Sequence, residues 1–355
     1  MAASDPVLWL LLTTGACNLR CSYCGGSFES RVVPYKTTYD LSKLRKLMED
    51  DPEPTVIFYG GEPLLNPKFV MEAMNSLPAV RWGVQTNGFF VDLLPDEYWN
   101  RMSVALLSID GRREVTDANR GKGVYDRVMR SLSKLRRFPL KIIARMAVTR
   151  LTDIYVDVTH LLNSGFDQVH WQLDVIWSEK WDVWSWAETS YLPGVRRLVE
   201  LFVNELERGR VLGLIPVLGV LSAHFFEPYR ASPCGAGYRS VAVSSDGRVL
   251  ACPIAVREKW AVLGHIETGF KLMEPELPEP CNSCEYRRYC GGRCLYALRE
   301  NYWGKDAEKV DEITKETIKS ILSIIPKAEA LMERGIIDRE ALRYDPILDS
   351  TEVIP

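Results

Sequence analysis

Six apolar, strand-like runs alternate with amphipathic or polar stretches over the first half of the chain, and this alternation constrains the fold most strongly. The predicted strands span residues 7–13, 55–59, 82–85, 104–109, 141–148 and 168–175. Predicted helices between them include residues 41–49, 67–75, 124–136 and 154–163. Strand–helix alternation is typical of parallel βαβ units. Six such units predict an α/β fold built on an open parallel barrel, with the chemistry at the carboxyl ends of the strands.

Three cysteines follow the first predicted strand on one short loop. Cys17, Cys21 and Cys24 have the spacing C-x3-C-x2-C, and Tyr23 precedes the last of them. Thiolate sulfur is the ligand that iron–sulfur clusters use, so three thiolates can hold a [4Fe–4S] cluster and leave its fourth iron open. A structural zinc site prefers paired C-x2-C units and four ligands. A disulfide framework fits poorly with an odd total of nine cysteines. The loop therefore favours a cluster.

Composition and charge narrow the class of protein. The chain has 355 residues, of which 46% are hydrophobic and 26% charged, so it is globular and long enough for two domains. With a net charge of −3 the chain has no excess of basic residues, so we expect neither a nucleic-acid nor a membrane partner. The apolar run at residues 7–13 is too short to span a bilayer and lacks signal-peptide flanks. We predict a cytoplasmic protein whose cysteines bind metal.

Polar or glycine-rich motifs stand at or near the ends of the next four predicted strands. They are Gly60-Gly61-Glu62-Pro63, Gln85-Thr86-Asn87-Gly88, Ser108-Ile109-Asp110-Gly111, and Arg145 within the fifth strand. Taken alone, each has an ordinary interpretation as a turn, a helix cap or an arginine in a surface ion pair. Together with the cysteine loop, and in this order, they resemble the radical S-adenosylmethionine (SAM) enzymes, in particular their peptide-modifying branch.

The resemblance implies a cofactor site. The loop cysteines would hold a [4Fe–4S] cluster with an open iron, and SAM would bind there. The backbone of the Gly-Gly-Glu-Pro motif would accept hydrogen bonds from the SAM amino group, and Ser108 and Arg145 would contact its carboxylate or ribose. Further cofactor-binding candidates are Tyr23, Gly60, Gly61, Glu62, Pro63, Thr86, Asn87 and Asp110. Family members cleave SAM reductively to a 5′-deoxyadenosyl radical, which takes a hydrogen atom from the substrate. They need a low-potential electron donor of the ferredoxin or flavodoxin type.

The remaining six cysteines resemble a second family pattern. They are Cys234, Cys252, Cys281, Cys284, Cys290 and Cys294, the last four spaced C-x2-C-x5-C-x3-C. With a predicted hairpin over residues 242–253, they resemble the SPASM domain, which carries auxiliary iron–sulfur clusters. The resemblance implies that Cys234, Cys252 and Cys294 share one cluster, and that Cys281, Cys284 and Cys290 share the other.

The pattern departs from the family because no cysteine follows Cys294. Each implied set thus has three cysteines, and the fourth position could be an acid, a histidine, water or the substrate. Two auxiliary clusters, one cluster, or zinc remain open.

We therefore predict a partial (β/α)6 radical SAM barrel over residues 1–211. A small, cysteine-rich SPASM-like domain would follow over 212–302, and a C-terminal helical extension over 303–355. By resemblance the substrate is a peptide or protein side chain, with a small molecule or tetrapyrrole as the alternative. A non-catalytic iron–sulfur electron carrier would leave Gly60, Ser108 and Arg145 unexplained.

Two features leave the chemistry of the substrate open. Pro253 stands where sulfatase-maturating members have an aspartate base, so formylglycine formation is not expected and the catalytic base is unknown. Five of the ten tryptophans lie between residues 171 and 186. They indicate either a packed core or an aromatic lid over a substrate channel.

Overall fold

The computed structural model describes residues 8–354, and its first six strands form a parallel sheet in chain order. They are β1 (Leu8–Thr14), β2 (Thr55–Gly60), β3 (Arg81–Thr86), β4 (Val104–Ser108), β5 (Lys141–Val148) and β6 (Gln168–Leu173). Each pairs in parallel with the next, from β1–β2 to β5–β6. The predicted open barrel is confirmed, and the six predicted strands differ from the observed ones by at most two residues at an end. Val7, the predicted start of the first strand, lies outside the described residues.

Four further strands extend the same sheet beyond β1. They are β7 (Ser240–Val243), β8 (Arg248–Leu250), β9 (Val262–His265) and β10 (Gly269–Phe270). Strand β7 runs parallel to β1, with Ser240 opposite Leu8, and β8 turns back antiparallel to β7. Cys234 precedes β7 and Cys252 follows β8, so both lie towards the end of the sheet where β1 begins. The cysteine loop, which follows β1, lies at the opposite end.

Fourteen α-helices accompany the sheet in the described part of the chain. They are α1 (Leu41–Met48), α2 (Pro67–Ser76), α3 (Asp96–Trp99), α4 (Arg113–Arg120), α5 (Val124–Leu135), α6 (Ile154–Asn163), α7 (Val183–Trp186), α8 (Leu192–Leu206), α9 (Ile215–Phe225), α10 (Arg287–Cys290), α11 (Leu295–Glu300), α12 (Ala307–Leu322), α13 (Ile325–Glu333) and α14 (Pro346–Asp349). Among residues 8–354, no helix is both long and apolar enough to cross a bilayer.

Local sequence explains where several of these helices begin. The side chains of Asp40, Asn66 and Asp153 each accept a hydrogen bond from a backbone N–H of the first turn, which starts α1, α2 and α6. A π-helical turn at Ala187–Tyr191 leads into α8, and the chain leaves the helix after Leu206.

The C-terminal extension packs on the barrel through α12 and α13. Val310, Ile313, Ile318 and Ile321 are buried on one face of α12. This helix packs against α8 and α9, and α13 packs against α8. These side chains recur at helical spacing, so the face of α12 that they form is part of the core.

Candidate cofactor site

The loop that carries Cys17, Cys21 and Cys24 is folded against the glycines that end β2. The N–H groups of Gly61 and Glu62 donate to the carbonyl oxygens of Thr14 and Ala16, at 3.0 and 2.8 Å. A Cβ atom at Gly60 or Gly61 would overlap these same carbonyl oxygens. Gly60 also has a φ of +136°, which other residues rarely adopt. Both glycines are thus required by the close approach of the cysteine loop.

All three loop thiols face one cavity of about 640 Å³ inside the barrel. Burial raises the pKa of Cys17 above its usual value. A hydrogen bond between Cys21 and Cys24 favours the thiolate of Cys24 and lowers its pKa to about 6. Three thiols that share one cavity can serve as the ligands of a cluster, because a metal binds cysteine in the thiolate form.

Glu62 ties the second and third strand ends together. Its carboxylate accepts hydrogen bonds from the Thr86 hydroxyl and the Asn87 N–H, both at 2.7 Å, and from the Leu64 N–H at 3.0 Å. Its side chain is buried, and this burial raises its pKa to about 7 despite the three donors. Asn87 in turn donates to Asn18 of the cysteine loop at 2.8 Å. Glu62 therefore positions the cavity wall through its neighbours.

A buried ion pair supports the other side of the loop. Arg120, at the end of α4, donates to both carboxylate oxygens of Asp110, at 2.7 and 2.9 Å. The Tyr23 hydroxyl donates to Asp110 at 2.9 Å, and Arg120 lies over the Tyr23 ring. Burial opposes the charge on Arg120, but the neighbouring Asp110 outweighs it and holds the pKa of Arg120 above its usual value.

The structure brings most of the predicted cofactor residues to the cavity wall. Those on the wall are Tyr23, Gly60, Gly61, Glu62, Thr86, Asn87, Ser108 and Arg145. Pro63 and Asp110 lie behind it: the Pro63 carbonyl accepts a hydrogen bond from Thr13, and Asp110 is fully buried in its ion pair. These two residues act on the site through their neighbours.

Arg145 has partners of its own within the barrel. Its Nη2 atom lies 2.8 Å from Oε2 of Glu352, and its Nη1 atom lies 3.1 Å from Nδ1 of His170. Burial, followed by the charge of Arg145, lowers the pKa of His170 to about 3. The ring is therefore neutral at pH 7, and since Nδ1 accepts from Arg145, its proton lies on Nε2.

The same cavity continues to Cys234, Cys252 and Cys294. Burial raises the pKa of each of these thiols, that of Cys252 to about 12. They come from three separate places, namely the segments before β7 and after β8 and the start of α11. Three thiols gathered at one end of the cavity, opposite the cysteine loop, fit the ligand set of a second cluster.

A separate cavity of about 310 Å³ is lined by Cys281, Cys284 and Cys290. Asp311 and Lys315 of α12 share its wall. All nine cysteines are free thiols in the described chain. No three His, Cys, Asp or Glu side chains of residues 8–354 are close enough together to hold a single metal ion.

The tryptophan-rich segment is divided between core and cavity. Trp171 is buried in β6 and its ring N–H donates to the Tyr191 hydroxyl at 3.1 Å. Trp177 is 43% exposed, lines the cavity and lies edge-on to Tyr296. Trp181 and Trp186 pack edge to face on each other against the core. Among these four, Trp177 alone reaches the cavity.

Four residues of the site were missed from sequence. They are Arg120, Asp174, His170 and Glu352. Arg120 stands on the buried face of α4, and a cation on such a face is a usable signal. Asp174 follows β6 and lines the cavity, and burial raises its pKa. Glu352 lies 207 residues from Arg145, and no local pattern marks it.

Comparison with known proteins identifies the family. Residues 11–162 match the family model described as the radical SAM superfamily. Mycofactocin maturase MftC of Mycolicibacterium smegmatis is 26% identical over 335 residues, which span 82% of this chain and 79% of the maturase. Residues 11–162 are therefore a radical SAM domain.

Other similarities extend over nearly the whole length of the chain. An uncharacterised protein of Archaeoglobus fulgidus is 26% identical over 88% of this chain and 82% of its own length. The structure of native anSMEcpe with bound AdoMet superposes with a TM-score of 0.71 at 20% identity, over 92% of this chain and all of that one. Streptococcus suis SuiB bound to S-adenosylmethionine gives 0.57 at 15% identity, over 84% of this chain and 75% of SuiB. These structures share the fold.

Proposed function

We propose that this radical SAM enzyme modifies a side chain of a peptide or protein. The observation that carries the proposal is the shared cavity, which has Cys17, Cys21 and Cys24 at one end and Cys234, Cys252 and Cys294 at the other. A substrate between the two sets would meet a site of radical formation on one side and a redox-active cluster on the other.

At the first end, the chain's own residues would hold the cofactors. Cys17, Cys21 and Cys24 supply three thiolates for a [4Fe–4S] cluster, which when bound with SAM supplies the electron that cleaves the sulfonium bond. Gly60 and Gly61 line the cavity, and so do Ser108 and Arg145. We assign the backbone of Gly60 and Gly61 to the amino group of SAM, and Ser108 and Arg145 to its carboxylate, which needs a hydroxyl donor and a cation.

The other walls of the cavity suit a peptide side chain. Trp177, Tyr296 and Tyr302 give it an apolar, aromatic side, and Arg257 adds a charge. Aromatic side chains with a few polar groups are typical of ligand sites. Asp174 has a carboxyl whose pKa is raised by burial, so we assign it the role of proton acceptor from the substrate. The relatives support a peptide substrate, since MftC is a maturase and SuiB has been solved with its precursor peptide SuiA.

The domain organisation follows from the same proposal. Residues 1–211 would bind SAM, 212–302 would hold one or two auxiliary clusters, and 303–355 would cover the barrel. The auxiliary sites would accept an electron from the product radical, and a ferredoxin- or flavodoxin-type protein would donate the low-potential electron that reduces the first cluster.

The experiment is anaerobic reconstitution with iron and sulfide, followed by incubation with SAM, dithionite and peptides encoded beside the gene. The proposal predicts 5′-deoxyadenosine, together with a peptide whose mass has changed. 5′-Deoxyadenosine formation that no peptide stimulates, with stimulation by a small molecule instead, would overturn the peptide assignment.

A further inference from the structure

Residues 349–354 run inside the barrel. The Asp349 carboxylate pairs with Lys141 at the start of β5, at 2.7 Å, and the Ile354 carbonyl accepts from Gln172 of β6, at 3.2 Å. Thr351 bonds the Tyr344 hydroxyl, and Val353 is buried against Gly219 of α9. Contacts on both sides of residue 352 therefore fix its position relative to the sheet.

Glu352 turns from this tail into the cavity. Its Oε2 atom takes the 2.8 Å contact with Arg145 and lies 3.5 Å from Nε2 of His170. Both contacts are made by Oε2, so Oε1 contacts neither Arg145 nor His170. Although burial opposes ionisation, the charge of Arg145 holds the pKa of Glu352 below its usual value, and the carboxylate is ionised at pH 7. An anion thus stands in the wall of the cavity.

Cys234, Cys252 and Cys294 line the same cavity as Glu352. Asp349 pairs with Lys141 at the start of β5, and β5 runs parallel to β1, so the tail that carries Glu352 lies towards the end of the sheet where Cys234 and Cys252 lie. Three thiolates leave one iron of a four-iron cluster without a protein ligand. Carboxylate oxygen is an established metal ligand, and an arginine that holds its second oxygen orients it.

We propose that Glu352 is the fourth protein ligand of the cluster held by Cys234, Cys252 and Cys294, with Arg145 as the residue that positions it. The inference rests on the auxiliary cluster of the proposed function. It gives the tail a role in the redox site, and it links that site to Arg145, which the proposed function assigns to SAM.

The test compares carboxylate variants in the full chain, with Cys17, Cys21 and Cys24 replaced by alanine to remove the first cluster. Glu352→Gln removes the charge with little change of shape, Glu352→Cys restores an anionic ligand, and Glu258→Gln is the control. Glu258 also lines the cavity. Each protein is reconstituted anaerobically, checked by circular dichroism, and measured for iron, EPR spectrum and midpoint potential.

The proposal predicts that Glu352→Gln changes the EPR spectrum of one cluster and shifts its midpoint potential upward, because the cluster loses one negative charge. Glu352→Cys should retain the iron and give a further, distinct spectrum, while Glu258→Gln matches the parent. Added cyanide should alter the spectrum of Glu352→Gln and leave the parent unchanged.

Two results would overturn the ligand assignment. One is a Glu352→Gln protein with full iron and the spectrum and potential of the parent. The other is a change of the EPR spectrum and of the midpoint potential in Glu258→Gln instead of Glu352→Gln. Failure of the underlying proposal is distinguishable, because replacing Cys234, Cys252 and Cys294 by alanine would then leave the iron content unchanged. A role of Glu352 as counter-ion of Arg145 alone would change SAM affinity in the otherwise intact protein and leave the cluster spectrum as in the parent.

Discussion

The Tyr23 hydroxyl donates a 2.9 Å hydrogen bond to Asp110, a residue 87 positions away at the end of the fourth strand. This bond joins the cysteine loop to the buried pair of Asp110 and Arg120. The loop after β1 is therefore held in place by the loop after β4. The positions of Cys21 and Cys24 depend on this ion pair, although the pair forms no hydrogen bond with either thiol.

Asp110→Asn should lower the free energy of unfolding by about 3–5 kcal/mol, because it leaves the buried Arg120 charge without its partner. Urea denaturation of the apoprotein measures this. The matched control is Asp92→Asn, an exposed carboxylate paired with Arg127 and Lys134, which should cost about 0.5 kcal/mol or less. Equal losses in the two variants would show that the buried pair does not support the loop.

Glu62→Gln should destabilise the strand ends and weaken SAM binding together. The amide can accept at only one of its two positions, so either the Asn87 N–H or the Thr86 hydroxyl loses its acceptor. The expected loss of unfolding free energy is about 1–3 kcal/mol. Isothermal titration with SAM, done anaerobically, should give a larger Kd. Glu72→Gln, an exposed residue of α2, provides the control. A Glu62→Gln protein with unchanged stability would contradict the role given to its hydrogen bonds.

Stability of the apoprotein should depend on His170 below pH 6.5. Between pH 6.5 and about 3 the unfolded chain binds a proton here and the folded chain does not, so unfolding free energy falls as the pH falls. The full effect is about 4–5 kcal/mol at the acid end. His170→Gln should flatten the curve of unfolding free energy between pH 6.5 and 4.

The control for this pH dependence is His160→Gln in α6, whose ring contacts Tyr125 and is only partly buried. It should keep the slope of the parent protein. Parallel curves for parent and His170→Gln would mean that His170 is protonated in the folded chain.

Arg145→Gln should raise the Kd for SAM at least tenfold, about 1.4 kcal/mol, if the guanidinium binds the cofactor carboxylate. Arg136→Gln, which removes an exposed pair with Asp167, should leave the Kd unchanged. The circular dichroism of Arg145→Gln must match the parent protein, because the change also leaves Glu352 without its cation. Unchanged SAM affinity in a folded variant would remove Arg145 from the cofactor site.

Sequence predicted the parts of the fold that depend on local periodicity. Strand β5 was placed at its observed bounds, because alternation and flanking turn residues are short-range signals. Pairing of β7 with β1 was missed, since it joins residues more than 200 positions apart and only tertiary packing decides it.

The candidate site divides in the same way, into features with a local sequence signal and features that only tertiary packing decides. Residue types at strand ends indicated the thiols and Arg145, because parallel strands bring their carboxyl ends together. The partners of these residues were not predicted. Glu352 reaches Arg145 only through the path of the C-terminal tail, and Asp110 supports Tyr23 from behind the cavity wall. Such contacts depend on how distant segments pack.

The most direct test of the account is 5′-deoxyadenosine formation by the Cys17→Ala, Cys21→Ala, Cys24→Ala triple variant beside the parent protein, after anaerobic reconstitution and dithionite reduction. Iron is quantified in both samples. We predict that the parent cleaves SAM, and that the triple variant forms no 5′-deoxyadenosine while it keeps the iron bound by the other six cysteines. Formation of 5′-deoxyadenosine by the triple variant at the parent's rate would contradict the assignment of the site.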